Sequence, residues 1–102
     1  MDPKTRERIE NLLKEHNTFL FMKGTPQFPQ CGFSARAAAI LNELNIPFGS
    51  FNVLEDEDMR QGIKDYGQWP TIPQLYYNGE LVGGSDIMME MYESGELKDL
   101  IK

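Results

Sequence analysis

The sequence predicts one α/β domain over residues 1–102, a four-stranded mixed sheet flanked by helices on both faces. Three observations predict it. Short apolar runs of strand type alternate with stretches of helical periodicity, the pattern of a sheet layered with helices. Asn78-Gly79 stands between two such runs, the strongest short-range hairpin signal. A length of 102 residues suffices for a single modest core and is too short for two.

Asp2-Pro3 reads as an N-cap and a first-turn proline, and Ile9, Leu12 and Leu13 recur at helical spacing, so a first helix is expected over about residues 3–16. Thr18-Phe19-Leu20-Phe21-Met22 is nearly continuous in apolar character, as a strand buried on both faces requires. A loop broken by Gly24, Pro26 and Pro29 leads to Cys31, and the alanine-rich run after it forms a second helix to about Leu44. Phe48 to Val53 is the second strand, with Phe51 and Val53 on one face. The acidic run Glu55-Asp56-Glu57-Asp58 opens a third helix, because carboxylates favour a first helical turn; Met59, Ile63 and Tyr66 carry it and Gly67 stops it. Gln74–Tyr77 and Glu80–Gly83 form the hairpin, Ser85 or Asp86 caps a fourth helix ended by Gly95, and Leu97, Leu100 and Ile101 mark a short terminal helix.

Two strands joined through a helix run parallel with a right-handed crossover, and a hairpin adds two antiparallel strands. This order is the thioredoxin-type layout. It sets Cys31 where the first strand passes into the second helix.

A net charge of −6 argues against nucleic acid as a partner, since phosphate binding draws on clustered Lys and Arg. No apolar run approaches the about 20 residues that cross a bilayer, so no membrane partner is expected. The charged start Met1-Asp2-Pro3-Lys4 has no signal-peptide character, and one cysteine staples nothing, so a reducing compartment is expected: the cytoplasm, or an organelle matrix or stroma after removal of a leader.

Cys31 sits at a helix entrance, where unpaired N–H groups and the helix dipole favour the thiolate that attacks disulfides and binds iron. Three residues on, where a second cysteine is usual, stands Ser34. Chemistry at Cys31 therefore needs a second thiol from outside the chain.

Four segments, Lys23-Gly24-Thr25-Pro26, Cys31-Gly32-Phe33-Ser34, Trp69-Pro70-Thr71-Ile72-Pro73-Gln74 and Gly83-Gly84-Ser85-Asp86, resemble the signatures of the monothiol glutaredoxins of CGFS type, in the right order and spacing. The resemblance implies a glutathione-binding thioredoxin fold that assembles a [2Fe–2S] cluster between two subunits and hands it to iron–sulfur apoproteins or binds BolA-type proteins. Where many relatives carry a further cysteine this chain has Ser85, which removes any disulfide from there to Cys31. A [2Fe–2S] centre needs four ligands. One chain offers one thiolate, and His16, at the end of the first helix, has no partner at a metal-ligand spacing. Two chains and two glutathione thiols close the count, with a homodimer when loaded and a monomer otherwise.

Bound glutathione needs receptors for two carboxylates. The helix entrance Gly84-Ser85-Asp86 suits the γ-glutamyl carboxylate, with Asp86 accepting from its ammonium, although the plain reading of Ser85 and Asp86 is as helix caps. Lys23 and Arg60 are candidates for the glycyl carboxylate; alone, each reads as a solvated charge. By resemblance the Ile72–Pro73 bond is cis, and the Ile72 backbone, in Thr71-Ile72-Pro73, pairs with the cysteinyl backbone of glutathione like a short added strand. Gly32 permits close backbone approach beside the sulfur, Phe33 covers it, and Trp69 reads as a packing residue. The expected function is iron–sulfur cluster transfer and iron homeostasis. The alternatives are a glutathione-dependent thiol–disulfide oxidoreductase acting through Cys31 and an interaction module with a vestigial pocket.

Overall fold

In the computed structural model, which describes residues 1–101, the chain runs α1 (Pro3–Glu15), β1 (Thr18–Met22), α2 (Gly32–Glu43), β2 (Gly49–Asn52), a 3-10 turn (Val53–Glu55), α3 (Glu57–Gly67), β3 (Gln74–Tyr77), β4 (Glu80–Gly83), α4 (Ser85–Ser94) and α5 (Glu96–Leu100). Lys102, the last residue of the expected domain, lies outside the described residues.

All five residues of β1 are buried. Its place explains this: in the sheet order β2-β1-β3-β4 it is an inner strand, parallel to β2 and antiparallel to β3. The mixed sheet is the one expected. Because side chains alternate across a strand, β1 feeds two cores. Leu20 and Met22 join Leu75 under α2, α4 and the C-terminus, meeting Ala37, Leu41, Met88 and Leu97. Phe19 and Phe21 join Tyr76 under α1 and α3, meeting Ile9, Leu13, Met59 and Ile63. Helices thus cover both faces. Among the described residues, no helix is long and apolar enough to cross a membrane.

The local signals act as their chemistry requires. Asp2 accepts the Lys4 N–H at 3.0 Å and starts α1. Asn78 and Gly79 have φ of 50° and 83°, and this pair of positive values makes the tight turn between β3 and β4.

Three boundaries differ from expectation. Strand β2 stops at Asn52, one residue before Val53, because Asn52 Oδ1 accepts the Leu54 N–H at 3.0 Å and turns the chain. Phe51 and Val53 still face one core. The acidic run divides: Glu55 belongs to the 3-10 turn, and Asp56 caps α3 by accepting the Met59 N–H at 3.1 Å. By contrast α3 does end at Gly67 as expected, and the left-handed residue after it is Gln68, with φ 51°. A side chain at Gly67 would run into the Tyr76 hydroxyl and lie 3.0 Å from Gln74 Oε1, so glycine is needed there for close packing. The cap of α4 is Gly84, neither Ser85 nor Asp86. Neither side chain caps that end, because Ser85 is already the first helical residue and the extended residue before it is a glycine without a side chain to offer.

Candidate functional site

A cleft of about 400 Å³ opens where β1 ends, with Lys23, Cys31 and Phe33 on one side. Thr71, Ile72 and Pro73 form a second wall, and Gly84, Ser85 and Asp86 a third. Nine residues singled out in the sequence are thereby brought together, from three separate stretches of chain. Gly32 and Arg60 are not among the lining residues. Gly32 is exposed at the first turn of α2. The Arg60 guanidinium lies 3.7 Å from Glu57 Oε2, and Lys64, one turn further along α3, lines the cleft instead.

Cys31 is the N-cap of α2 in extended conformation and its thiol is half-buried. The Ser34 backbone N–H holds the thiol below its ordinary value of 9.0. The Phe33 N–H, the Lys23 ammonium and the Ser34 hydroxyl act in the same direction, and partial desolvation opposes them. Ser34 is fully buried, and its Oγ accepts the Lys23 N–H at 3.0 Å. The residue standing where a second thiol is usual therefore ties α2 to the end of β1.

The loop before Cys31 is held from both ends. Gly24 donates its N–H to Asn52 Oδ1 at 2.9 Å, and Gln30 donates to the Lys23 carbonyl at 2.9 Å. Gly24 has φ 89°, and a Cβ there would stand 2.6 Å from the Phe28 carbonyl oxygen, so this turn requires glycine. Phe28 at its tip is 76% exposed, and Phe33, which lines the cleft with Cys31, is 56% exposed.

The wall Trp69–Pro73 belongs to no helix or strand. The Ile72–Pro73 peptide is cis. Trp69 donates its backbone N–H to the Lys64 carbonyl at 3.1 Å, and its ring lines the cleft. The buried Trp69 Nε1, Arg60 Nε and Ser85 Oγ have no hydrogen-bond partner among the described residues.

The cleft thus offers one activated thiol, two ammonium groups (Lys23 and Lys64), the uncapped N–H groups at the start of α4, and one carboxylate, Asp86. Such a set fits a small ligand carrying two carboxylates, an ammonium and a thiol. Sequence reading did not single out Lys64, and it named Gln74 only as the end of a signature segment and the start of a strand. Lys64 is four residues beyond Arg60 and so shares its helix face, a spacing that was there to be read. The bonds of the Gln74 side chain to the Trp69 and Thr71 carbonyls had no signal in the sequence.

A family model described as Glutaredoxin matches residues 18–82. The chain is 54% identical over 102 residues to the uncharacterized monothiol glutaredoxin ycf64-like protein of Synechocystis sp., covering 100% of this chain and 95% of that one. It is 54% identical over 97 residues to monothiol glutaredoxin-S17 of Arabidopsis thaliana, where 95% of this chain spans 20% of the relative's length. The solution structure of reduced poplar apo GrxS14 is similar with a TM-score of 0.84 and 52% identity, over 93% of this chain and 87% of that one. The crystal structure of a buckwheat glutaredoxin–glutathione complex shares the fold, with a TM-score of 0.81 at 17% identity over 99% and 93% of the two chains.

Proposed function

The chain belongs to the monothiol glutaredoxin family, and on that premise we propose that it binds glutathione in this cleft and carries a [2Fe–2S] cluster between two subunits. The observation behind the reading is one thiol at the N-cap position of α2, with lowered proton affinity, sharing a cleft with two ammonium groups and an uncapped helix entrance. The start of α4 receives the γ-glutamyl carboxylate and Asp86 its ammonium, while the Ile72 backbone lies beside the cysteinyl unit. Lys23 and Lys64 line the cleft and stand ready for the glycyl carboxylate, whereas Arg60 lies outside its lining.

The cluster is cargo, and its chemistry is ligand exchange at iron. Cys31 supplies one thiolate per chain and glutathione a second, so two chains and two glutathiones meet the requirement for four ligands. The loaded form is a homodimer and the empty form a monomer. Iron–sulfur apoproteins receive the cluster, and a BolA-type protein competes for the bridging position. A reducing compartment suits both thiols, the cytoplasm or an organelle interior.

A second reading rests on the lowered thiol of Cys31. The thiolate attacks the glutathione sulfur of a protein–glutathione disulfide, forming a Cys31–glutathione disulfide and releasing the protein thiolate, which takes up a proton. A second glutathione thiolate then attacks that disulfide, leaving as oxidised glutathione and restoring Cys31.

Anaerobic reconstitution with iron, sulfide and glutathione separates these readings. The expected product is a coloured dimer with one [2Fe–2S] unit per pair of chains, lost in Cys31→Ser and released faster in Lys23→Ala and Lys64→Ala at limiting glutathione. A coloured monomer, or a coloured Cys31→Ser dimer, would sink the ligand count. Rapid disulfide turnover without cluster would favour the second reading.

A further inference from the structure

The wall Trp69–Pro73 has no ladder or helix to hold its backbone, so something else must. That something is the Gln74 side chain. It is fully buried; its Nε2 donates to the Trp69 carbonyl and to the Thr71 carbonyl, both at 3.1 Å, and its Oε1 accepts the Tyr76 hydroxyl at 2.9 Å. These partners fix which way the amide points, because the reverse orientation would set Oε1 against two carbonyl oxygens. The Tyr76 hydroxyl and Gln74 Oε1 in turn lie against Gly67, whose missing side chain leaves room for them. At its near end the wall is tied to α3 through the Trp69 N–H and the Lys64 carbonyl.

We propose that Gln74 is a positioning residue for the ligand cleft, its carboxamide bracing the carbonyls on either side of Pro70 so that Thr71 and Ile72 stand where glutathione meets them. Gln74 touches no ligand itself. The inference rests on the glutathione reading above for its effect on affinity, and on the apo structure alone for the brace.

The test compares Gln74→Met, which keeps the shape and removes both donors, with Tyr76→Phe, which removes only the far anchor. Amide hydrogen exchange and glutathione titration, both followed by NMR, are the two readouts. In Gln74→Met the Trp69 amide exchanges about tenfold faster, as expected when a local hydrogen-bonded brace is lost, and glutathione binds several-fold more weakly. In Tyr76→Phe the melting temperature falls, while Trp69 exchange and glutathione affinity stay near wild type. Unchanged Trp69 exchange in Gln74→Met overturns the brace. Faster exchange with unchanged glutathione affinity overturns its role in the cleft, and equal effects in both variants reduce it to general stability. Should Gln74→Met not fold, Gln74→Glu, which keeps an acceptor toward Tyr76 and, protonated in this buried place, has one O–H donor where Gln74 has two N–H donors, carries the same comparison. Absence of glutathione binding by the wild type would strike the proposed function, and the exchange readout would still decide the brace.

Discussion

Cys31 shows how much of a thiol's character comes from backbone. The leading influence is the Ser34 N–H at the start of α2, ahead of the Lys23 ammonium. Alkylation by iodoacetamide, measured against pH, should therefore reach its midpoint below 9.0. Lys23→Ala should move the midpoint upward and make it less sensitive to salt, yet leave it below 9.0, because the backbone donors remain. A midpoint at or above 9.0 in the wild type would contradict the helix-entrance account. The thiol's setting was legible in the sequence, since a cysteine between a broken loop and an alanine-rich run has few other places to be. Ser34 was legible as a missing thiol. Its bond to the Lys23 N–H was not, because it joins residues 11 apart through a contact that exists once β1 and α2 have packed.

At the scale of elements, α1 and α3 are joined by charge as well as by apolar packing. Arg8 Nη1 lies 2.8 Å from Asp56 Oδ2, while Asp56 Oδ1 caps α3 through Met59. The Arg8 hydrogen bond, and after it the Met59 N–H, hold the Asp56 carboxyl below its ordinary 3.8. A carboxyl depressed in the folded state stabilises that state fully above its unfolded value and ceases to do so as pH falls through its folded value. Asp56→Ala should accordingly melt at a lower temperature than wild type at neutral pH, with the gap narrowing only below about pH 3.8. A gap of the same size in strong acid would mean that the charge contributes nothing, whereas a smaller residual gap is the cap that the neutral carboxyl still makes. Elements themselves were readable where a period and a stop signal coincided, as at Asn78-Gly79 and at Gly95, which ends α4 with φ 84°. Gly67 ends α3 as its sequence position suggests, but the further demand on it was not legible, because the neighbour that requires a glycine is Tyr76, from another element. Lys64 escaped for a related reason. Helical spacing gives the face it shares with Arg60, and the turn that reaches the cleft is set by how α3 lies on the sheet.

The whole molecule depends on β1, which is central to the sheet and contributes to both cores. Leu20→Ala should cost about 2–5 kcal/mol by opening a cavity under α2, against a total of about 5–15 kcal/mol for a domain of this kind. Urea denaturation measures it, and a loss under about 1 kcal/mol would show that the core refills the space. The same strand ends at Met22, immediately before Lys23, so the stability of the interior and the placement of the cleft share one piece of backbone. The fold class and its topology follow from element order. The shape of the cleft depends on the irregular stretch from Gln68 to Pro73, where local pattern says least and a buried glutamine does the ordering. That stretch also carries the chain's one tryptophan, whose ring faces the cleft. The protein therefore has its own optical probe at the mouth of the pocket: light absorbed by indole is emitted from that single spot, unlabelled, and a molecule settling against the ring changes its surroundings at once.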